Sequence, residues 1–284
     1  MSVYGTSPIK RSRRTRAEMS GLRDAIFDLL SAEQPMTNRQ CFYRLETMGF
    51  VPKSEAGYKT VCRLLADMRL GGEIPFGWIA DNTRWMRKPR TFSDAEAALA
   101  DLANYYRKDI WRRQPSYVEV WLEKDALAGV VYEVTQEFDV PLMVTRGYAS
   151  LSYLHEAAEA IAAQGKPAHL YYFGDYDPSG ADITANVERR LREFAPDADI
   201  HFHRRAVTEW QIDNWKLPTR PTKQTDSRAR KFNDERSVEL DAIPPDMLRE
   251  LVRQCIDDHI DKMELRIARI AEESERQSLR MVAG

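Results

Sequence analysis

The chain has 284 residues, of which 43% are hydrophobic and 30% are charged, and its formal net charge is -2. This length is sufficient for one large or two modest globular domains. The total charge gives no overall basic character that would argue for nucleic-acid binding. The sequence also lacks a Gly-x-x-x-x-Gly-Lys-Ser/Thr loop, so any use of ATP would have to come from a partner.

The three cysteines, Cys41, Cys62 and Cys255, form no Cys-x-x-Cys pair. Their odd number and spacing are typical of a reducing compartment and argue against a zinc cluster. No secretory hydrophobic region follows the basic start, and no apolar run approaches the length of a membrane span. We therefore expect a cytoplasmic protein that has no membrane partner.

Positive charge is nevertheless concentrated at two places in the chain. One is a basic arm, predicted to be disordered over residues 1–15, and the other is a cluster late in the chain. Patches of this kind matter more for binding polyanions than the total charge does, although such an arm is usually a solvated tail. The residues concerned are Lys10, Arg11, Arg13, Arg14 and Arg16 in the arm, and Arg228, Arg230 and Lys231 in the cluster.

Residues 16–92 carry the pattern of three helices. Apolar residues at helical spacing predict the first helix. Thr37 and Gln40 have the spacing of a capping box at the start of the second helix. Ser54 can cap the third helix, which is expected to end at Gly71.

A short β-hairpin is predicted to follow the third helix, with strands over 74–79 and 85–86 joined by a turn at Asp81-Asn82. Three helices followed by such a wing outline a winged helix-turn-helix, in which the third helix faces the DNA major groove. A small protein-interaction domain is the alternative, because charged outer helix faces are commonplace. The candidate DNA-binding residues on the third helix are Lys59, Arg63 and Arg69.

Strands and helices alternate after a connecting helix over 93–116, which is predicted to start with the capping box Ser93-x-x-Glu96. Such alternation implies an α/β fold with a parallel sheet and right-handed crossovers over 117–205. Residues 206–284 are predicted to form a C-terminal extension, with an amphipathic helix that begins near Leu248 and runs toward Leu279. The strands are expected at 117–122, 141–145, 168–173 and 200–203.

Charged residues follow the ends of three predicted strands. Glu123 follows the first strand, Arg146 follows the second, and Asp175 and Asp177 follow the third. Because ligands of parallel sheets bind outside the carboxyl ends of the strands, these side chains are expected to converge. The simpler interpretation of a lone Asp-x-Asp is a solvated loop whose aspartate caps the next helix.

One glutamate and two aspartates without nearby Cys or His ligands suit Mg²⁺, which prefers oxygen ligands. Such an ion can stabilise displacement at phosphorus, with either water or a side chain as the nucleophile. Tyr43 is the candidate side chain, because Arg39 lies one helical turn before it and would favour the phenolate or bind a phosphate. The alternative is an ordinary core tyrosine on an apolar helix.

The predicted site residues lie in three segments, Val120-Trp121-Leu122-Glu123-Lys124-Asp125-Ala126-Leu127, Arg146-Gly147-Tyr148 and Gly174-Asp175-Tyr176-Asp177-Pro178-Ser179-Gly180. These segments resemble the Toprim domain, in the version found in the topoisomerase VI A subunit and its meiotic double-strand-break relatives. In that family a winged-helix domain precedes Toprim and carries a catalytic tyrosine four residues after an arginine. The segment Thr37-Asn38-Arg39-Gln40-Cys41-Phe42-Tyr43 is similar to that motif, and the similarity spans most of residues 16–205.

The resemblance implies that Glu123, Asp175 and Asp177 bind Mg²⁺ and that Tyr43, assisted by Arg39, cleaves double-stranded DNA by transesterification. It also implies a nucleoid-associated homodimer, in which the tyrosine of one subunit meets the metal of the other, and it leaves a separate ATPase subunit open. Arg146 joins the candidate DNA-binding residues. Two alternatives are a Toprim nuclease that uses water, which would suit phage defence, and a DNA-binding module without turnover.

Overall fold

Three helices open the part of the chain that the computed structural model describes, namely residues 14–80, 89–222, 232 and 234–283. They are α1 (Arg16–Glu33), α2 (Asn38–Thr47) and α3 (Glu55–Leu70). Thr37 and Gln40 form the predicted capping box of α2, and the Ser54 hydroxyl accepts a hydrogen bond from a backbone N–H of α3. The three helices bury their apolar faces in a core of their own.

The predicted strand over 74–79 is wrong. Phe76–Trp78 form a 3-10 turn, which the carbonyl of Pro75 closes by accepting a hydrogen bond from the N–H of Trp78 at 3.2 Å. Pro75 favours this turn because its ring fixes φ and it has no N–H to donate to a neighbouring strand. Ile79 makes only an isolated bridge with Met36. The predicted turn at Asp81-Asn82 and the strand over 85–86 lie outside the described residues.

A parallel sheet forms the centre of the molecule, as the alternating pattern predicts. Its strands are β1 (Tyr117–Leu122), β2 (Leu142–Val144), β3 (Ala168–Phe173) and β4 (Ile200–Ala206), in the spatial order β2-β1-β3-β4. The predicted bounds of β1 and β3 are confirmed, whereas β2 is shorter and β4 is longer than predicted. Both central strands are buried almost throughout, because helices cover both faces of the sheet.

Further helices follow in the chain and cover the faces of the sheet. The described ones are α4 (Ala95–Tyr105), α5 (Ala128–Thr135), α6 (Leu151–Ala163), α7 (Pro178–Phe194), α8 (Glu209–Asn214), α9 (Pro245–Asp257) and α10 (Lys262–Ala283), and the antiparallel strands β5 (Arg220–Pro221) and β6 (Arg236–Ser237) form a small second sheet. Helices α5 and α9 pack on one face of the parallel sheet, and α6 and α7 pack on the other. Helix α4 begins one residue later than the predicted capping box requires, because Asp94 rather than Ser93 is its N-cap.

The C-terminal residues complete the core of the sheet domain. The apolar stripe of α9 packs with α5 on the same face of the sheet as Val118 and Val120. The predicted single helix is two helices, because the chain turns before Asp261, whose carboxylate accepts the N–H groups of Met263 and Glu264 at 2.7 and 3.0 Å and so caps α10. None of the helices in the described ranges is long and apolar enough to span a membrane.

Candidate functional site

The predicted carboxylates lie at the point where the strand order reverses. The chain passes from β1 to β2 on one side and then returns to β3 on the other side of β1. Glu123 follows β1, and its N–H donates to the carbonyl of Phe173 at 2.9 Å. Its carboxylate oxygen Oε2 in turn accepts the N–H of Asp175 at 3.1 Å. Glu123 therefore contacts the Asp-x-Asp segment at the crevice where open α/β sheets bind ligands.

The contact between Glu123 and the Asp-x-Asp segment depends on Gly174. A Cβ atom at that position would lie 2.5 Å from Oε2 of Glu123 and 2.6 Å from the ring of Tyr172. Gly180 has a comparable role in α7, because a Cβ there would lie 2.2 Å from the carbonyl oxygen of Asp175. The two glycines explain how the Asp-x-Asp segment fits between the Glu123 side chain and the following helix.

Each aspartate of that segment already has partners within the chain. Oδ1 of Asp177 accepts the N–H of Gly180 at 2.7 Å, so Asp177 is the N-cap of α7, with Pro178 in the first turn as predicted. Oδ1 of Asp175 accepts the N–H of Leu240 at 2.8 Å and lies 3.1 Å from the ammonium of Lys124. The simpler interpretation of the sequence, an aspartate that caps a helix, is therefore confirmed for Asp177.

Burial makes two of the carboxyl groups at this edge harder to ionise. It raises the pKa of Glu123 to about 7, and the nearby charge of Asp175 adds to this effect. Burial also raises the pKa of Asp175, although Lys124 opposes the shift. A divalent cation bound to both groups would favour their ionised forms and would lower both pKa values. The donor set, three carboxylates without Cys or His, is thus of the type that fits Mg²⁺.

The arrangement of these carboxylates differs from a finished metal centre. Among the described residues, no group of three or more His, Cys, Asp and Glu side chains is arranged so that it could hold a metal ion. The ammonium of Lys124 contacts Asp175 instead, and it also lies 2.7 Å from Oδ2 of the buried Asp241. To bind a cation together with Glu123, Asp175 would have to exchange this ammonium for the metal.

Four residues of this edge were not predicted as site residues. Lys124 follows Glu123 directly, and Glu239 and Asp241 have the same spacing as Asp175 and Asp177, so these residues left a local signal in the sequence. Arg220 left no such signal. The carboxylate of Glu239 is contacted by Arg220 and by Lys124, the latter at 3.3 Å.

Tyr43 reaches this edge through Arg220 rather than through Arg39. Its side chain is 4% exposed, within the core of the first three helices, and its hydroxyl accepts a hydrogen bond from Nη2 of Arg220 at 2.5 Å. Arg39 lies over the ring of Tyr58, with 5.0 Å between Cζ and the ring centroid, and pairs with Glu239 at 2.8 Å. The alternative of a core tyrosine describes the burial of Tyr43 but not the hydrogen bond from Arg220 to its hydroxyl.

The four candidate DNA-binding residues fall into two groups. Arg69 and Arg146 line a cleft of about 680 Å³ between the N-terminal helices and the edge of the sheet. Arg146 also pairs with Asp125 at 3.2 Å. Lys59 and Arg63 are on the exposed surface of α3 outside that lining, and Lys59 pairs with Glu55 at 3.5 Å.

These features define an α/β protein in which a helical N-terminal unit faces the carboxyl edge of a parallel sheet, with acidic and basic side chains in the cleft between them. No protein-family model matches the sequence, and no curated protein matches it significantly.

Proposed function

We propose that the protein is a Mg²⁺-dependent DNA strand-cleaving enzyme of the topoisomerase VI A type, in which a winged-helix domain precedes a Toprim domain. The observation that carries the proposal is the contact between Glu123 and the Asp-x-Asp segment at the reversal of strand order. A second observation supports it: Tyr43, the candidate nucleophile, is hydrogen-bonded to Arg220, which lines a cleft shared with Asp175 and Asp177.

In this proposal Glu123, Asp175 and Asp177 hold the metal ion, which when bound shields the negative charge of the phosphate. The phenolic oxygen of Tyr43 forms a bond to phosphorus, and the bond from phosphorus to the leaving sugar oxygen breaks. The phenol gives up its proton to solvent, and the leaving oxygen takes one up. The phosphotyrosyl bond retains the energy that is needed to reseal the strand.

The basic residues of the larger cleft would hold the duplex. Arg69 and Arg146 contribute positive charge to the cleft wall, and contacts to backbone phosphates fix the orientation of DNA without reading its sequence. A homodimer is part of the proposal. The outward apolar side chains of α10, such as Ile270 and Met281, which are 64% and 76% exposed, are compatible with it.

The burial of Tyr43 favours a second candidate, a nuclease of the same fold. In that case water attacks the phosphate next to the same three carboxylates, and Tyr43 needs no access to the DNA. The two candidates require different products, because only the first leaves the protein covalently attached to a DNA end.

Covalent capture separates the two candidates. Labelled duplex DNA is incubated with the protein and Mg²⁺, the mixture is denatured, and label retained on the protein is measured. We expect retention for the wild type and for Tyr132→Phe, a control on the exposed surface of α5, but not for Tyr43→Phe. Cleavage that persists in Tyr43→Phe without an adduct in the wild type would identify water as the nucleophile. Glu123→Gln is expected to abolish cleavage in either case, and DNA binding without any cleavage would contradict both enzymatic candidates.

A further inference from the structure

Three cationic side chains from separate segments converge on the carboxylate of Glu239. Nη1 of Arg39, from α2, lies 2.8 Å from Oε2, and Nζ of Lys124, which follows β1, lies 3.3 Å from the same oxygen. Arg220, from β5, contacts Oε1. Asp175 and Asp241 also pair with Lys124, so Glu239 is the carboxylate of this cluster that both guanidinium groups contact.

Glu239 also occupies a position between two clefts. It lines the cleft of about 680 Å³ next to the N-terminal helices, and it lines a smaller cleft of about 220 Å³ together with Asp175, Asp177 and Arg220. Its side chain is only 18% exposed. Because Arg220 donates to the hydroxyl of Tyr43 as well, this one carboxylate lies between the candidate nucleophile and the candidate metal ligands.

We propose that the position of the Glu239 carboxylate is an anion site for a phosphodiester group of a nucleic-acid backbone, and that Glu239 fills it in the free protein. The proposal rests on the proposed function and extends it to the residues that hold the reacting phosphate, Arg220 above all. Guanidinium groups pair with phosphate in the same planar, bidentate manner as with carboxylate, so the cations around Glu239 suit either anion.

The surroundings of Glu239 allow its carboxylate to rotate away while hydrogen bonds hold the backbone of the neighbouring residues in place. Val238 and Tyr176 exchange backbone hydrogen bonds at 2.8 and 2.9 Å, and the N–H of Leu240 donates to Asp175. The two clefts on either side leave space for the carboxylate to rotate out. A phosphate in its place would contact Arg220 beside the hydroxyl of Tyr43.

The test measures DNA binding without cleavage, by fluorescence anisotropy of a fluorescein-labelled duplex in EDTA. Glu239→Gln removes the competing charge, and we expect it to tighten binding about tenfold, the equivalent of one charge-assisted hydrogen bond. Glu235→Gln is the matched control, because it makes the same change of net charge at an exposed position of the same segment. The double variant Glu239→Gln with Arg220→Gln should lose the gain.

If Glu239→Gln and Glu235→Gln change the affinity for the duplex equally, net charge alone explains the effect and the proposal is overturned. The proposal is also overturned if the double variant, which lacks Arg220, still binds more tightly than the wild type. Circular dichroism and thermal melting establish that each variant is folded. If Glu239→Gln does not fold, the variant Arg220→Gln tests the anion site instead. We expect Arg220→Gln to bind the duplex about tenfold more weakly than the wild type. Arg192→Gln, at an exposed arginine on α7, is its control and should bind with little change. Equal binding by these two arginine variants would overturn the anion site.

A second probe separates the anion site from the proposed function. Inorganic pyrophosphate, titrated calorimetrically into the same variants, needs only the cation cluster and no DNA surface. If the wild type binds no DNA but pyrophosphate binds Glu239→Gln more tightly than Glu235→Gln, the proposed function fails and the anion site stands. If neither ligand distinguishes these two variants, the anion site itself is wrong.

Discussion

Replacing Gly174 by alanine tests whether Glu123 is held against the end of β3. The added Cβ would lie 2.5 Å from Oε2 of Glu123 and 2.6 Å from the ring of Tyr172, which is fully buried. The backbone cannot retreat easily, because the N–H of Gly174 donates to Ala206 and its carbonyl accepts from Val207, both at 2.8 Å. We therefore expect the Glu123 side chain to move and to lose its hydrogen bond from Asp175.

Two costs contribute to the expected loss of stability. Overpacking of a close-packed site costs about 1–3 kcal/mol, and a lost hydrogen bond to a charged group costs about 1.5–3 kcal/mol. The two overlap, since moving the carboxylate relieves part of the overpacking, so we expect the free energy of unfolding to fall by about 3 kcal/mol in total. Affinity for Mg²⁺ should fall at the same time, because Glu123 leaves the carboxylate cluster.

Urea unfolding followed by circular dichroism measures the first effect, and calorimetric titration with Mg²⁺ measures the second. Gly21→Ala is the matched control, because its new Cβ in α1 meets nothing within 4 Å apart from its own stretch of helix. Higher helix propensity should make that variant about 1 kcal/mol more stable. A Gly174→Ala protein as stable as the wild type would refute the close approach, and unchanged Mg²⁺ affinity in a destabilised variant would refute Glu123 as a ligand.

Two further predictions concern titration and capping. The ring centroid of His169 lies 3.9 Å from that of His259 and 4.6 Å from that of His201. Burial, together with these neighbouring imidazoles, lowers the pKa of His169 to about 4. The unfolded chain therefore binds a proton at His169 that the folded chain does not. The stability that neutral His169 contributes is complete above about pH 6.5 and is lost as the pH falls toward about 4. We expect the free energy of unfolding to fall by about 1 kcal/mol over this range, since solvent screens a half-buried group. Urea midpoints of the wild type and of His169→Gln across that range measure the loss, and identical pH profiles would contradict it. Asp177→Asn keeps the oxygen that accepts the N–H of Gly180, so its free energy of unfolding should stay within about 0.5 kcal/mol of the wild type while its Mg²⁺ affinity falls. Asp177→Ala removes that oxygen and should lower the free energy of unfolding by about 1 kcal/mol. Equal melting temperatures of the two variants would contradict the capping role.

The sequence alone determined the parts of the fold that depend on neighbouring residues. The bounds of β1 and β3 follow from apolar runs that end in charged residues, and the caps at Thr37 and Ser54 follow from side chains that bond to backbone groups three residues away. Such signals are local, so a single chain carries them without reference to its fold. The wrong prediction of a strand over 74–79 also has a local cause, because Pro75 favours the turn that Phe76–Trp78 form.

Only the tertiary structure decided which charged residues meet. Arg39 and Glu239 are 200 positions apart and Tyr43 and Arg220 are 177 apart, yet both pairs are in contact. An ion pair of this kind arises when distant elements pack together, and nothing in the local pattern specifies the partner. The carboxylates could be located from the strand ends because parallel strands bring their carboxyl ends to one edge. The convergence of Arg39, Lys124 and Arg220 on Glu239 could not be predicted in this way, since the three cations come from a helix, a strand end and a two-residue strand that share no periodicity.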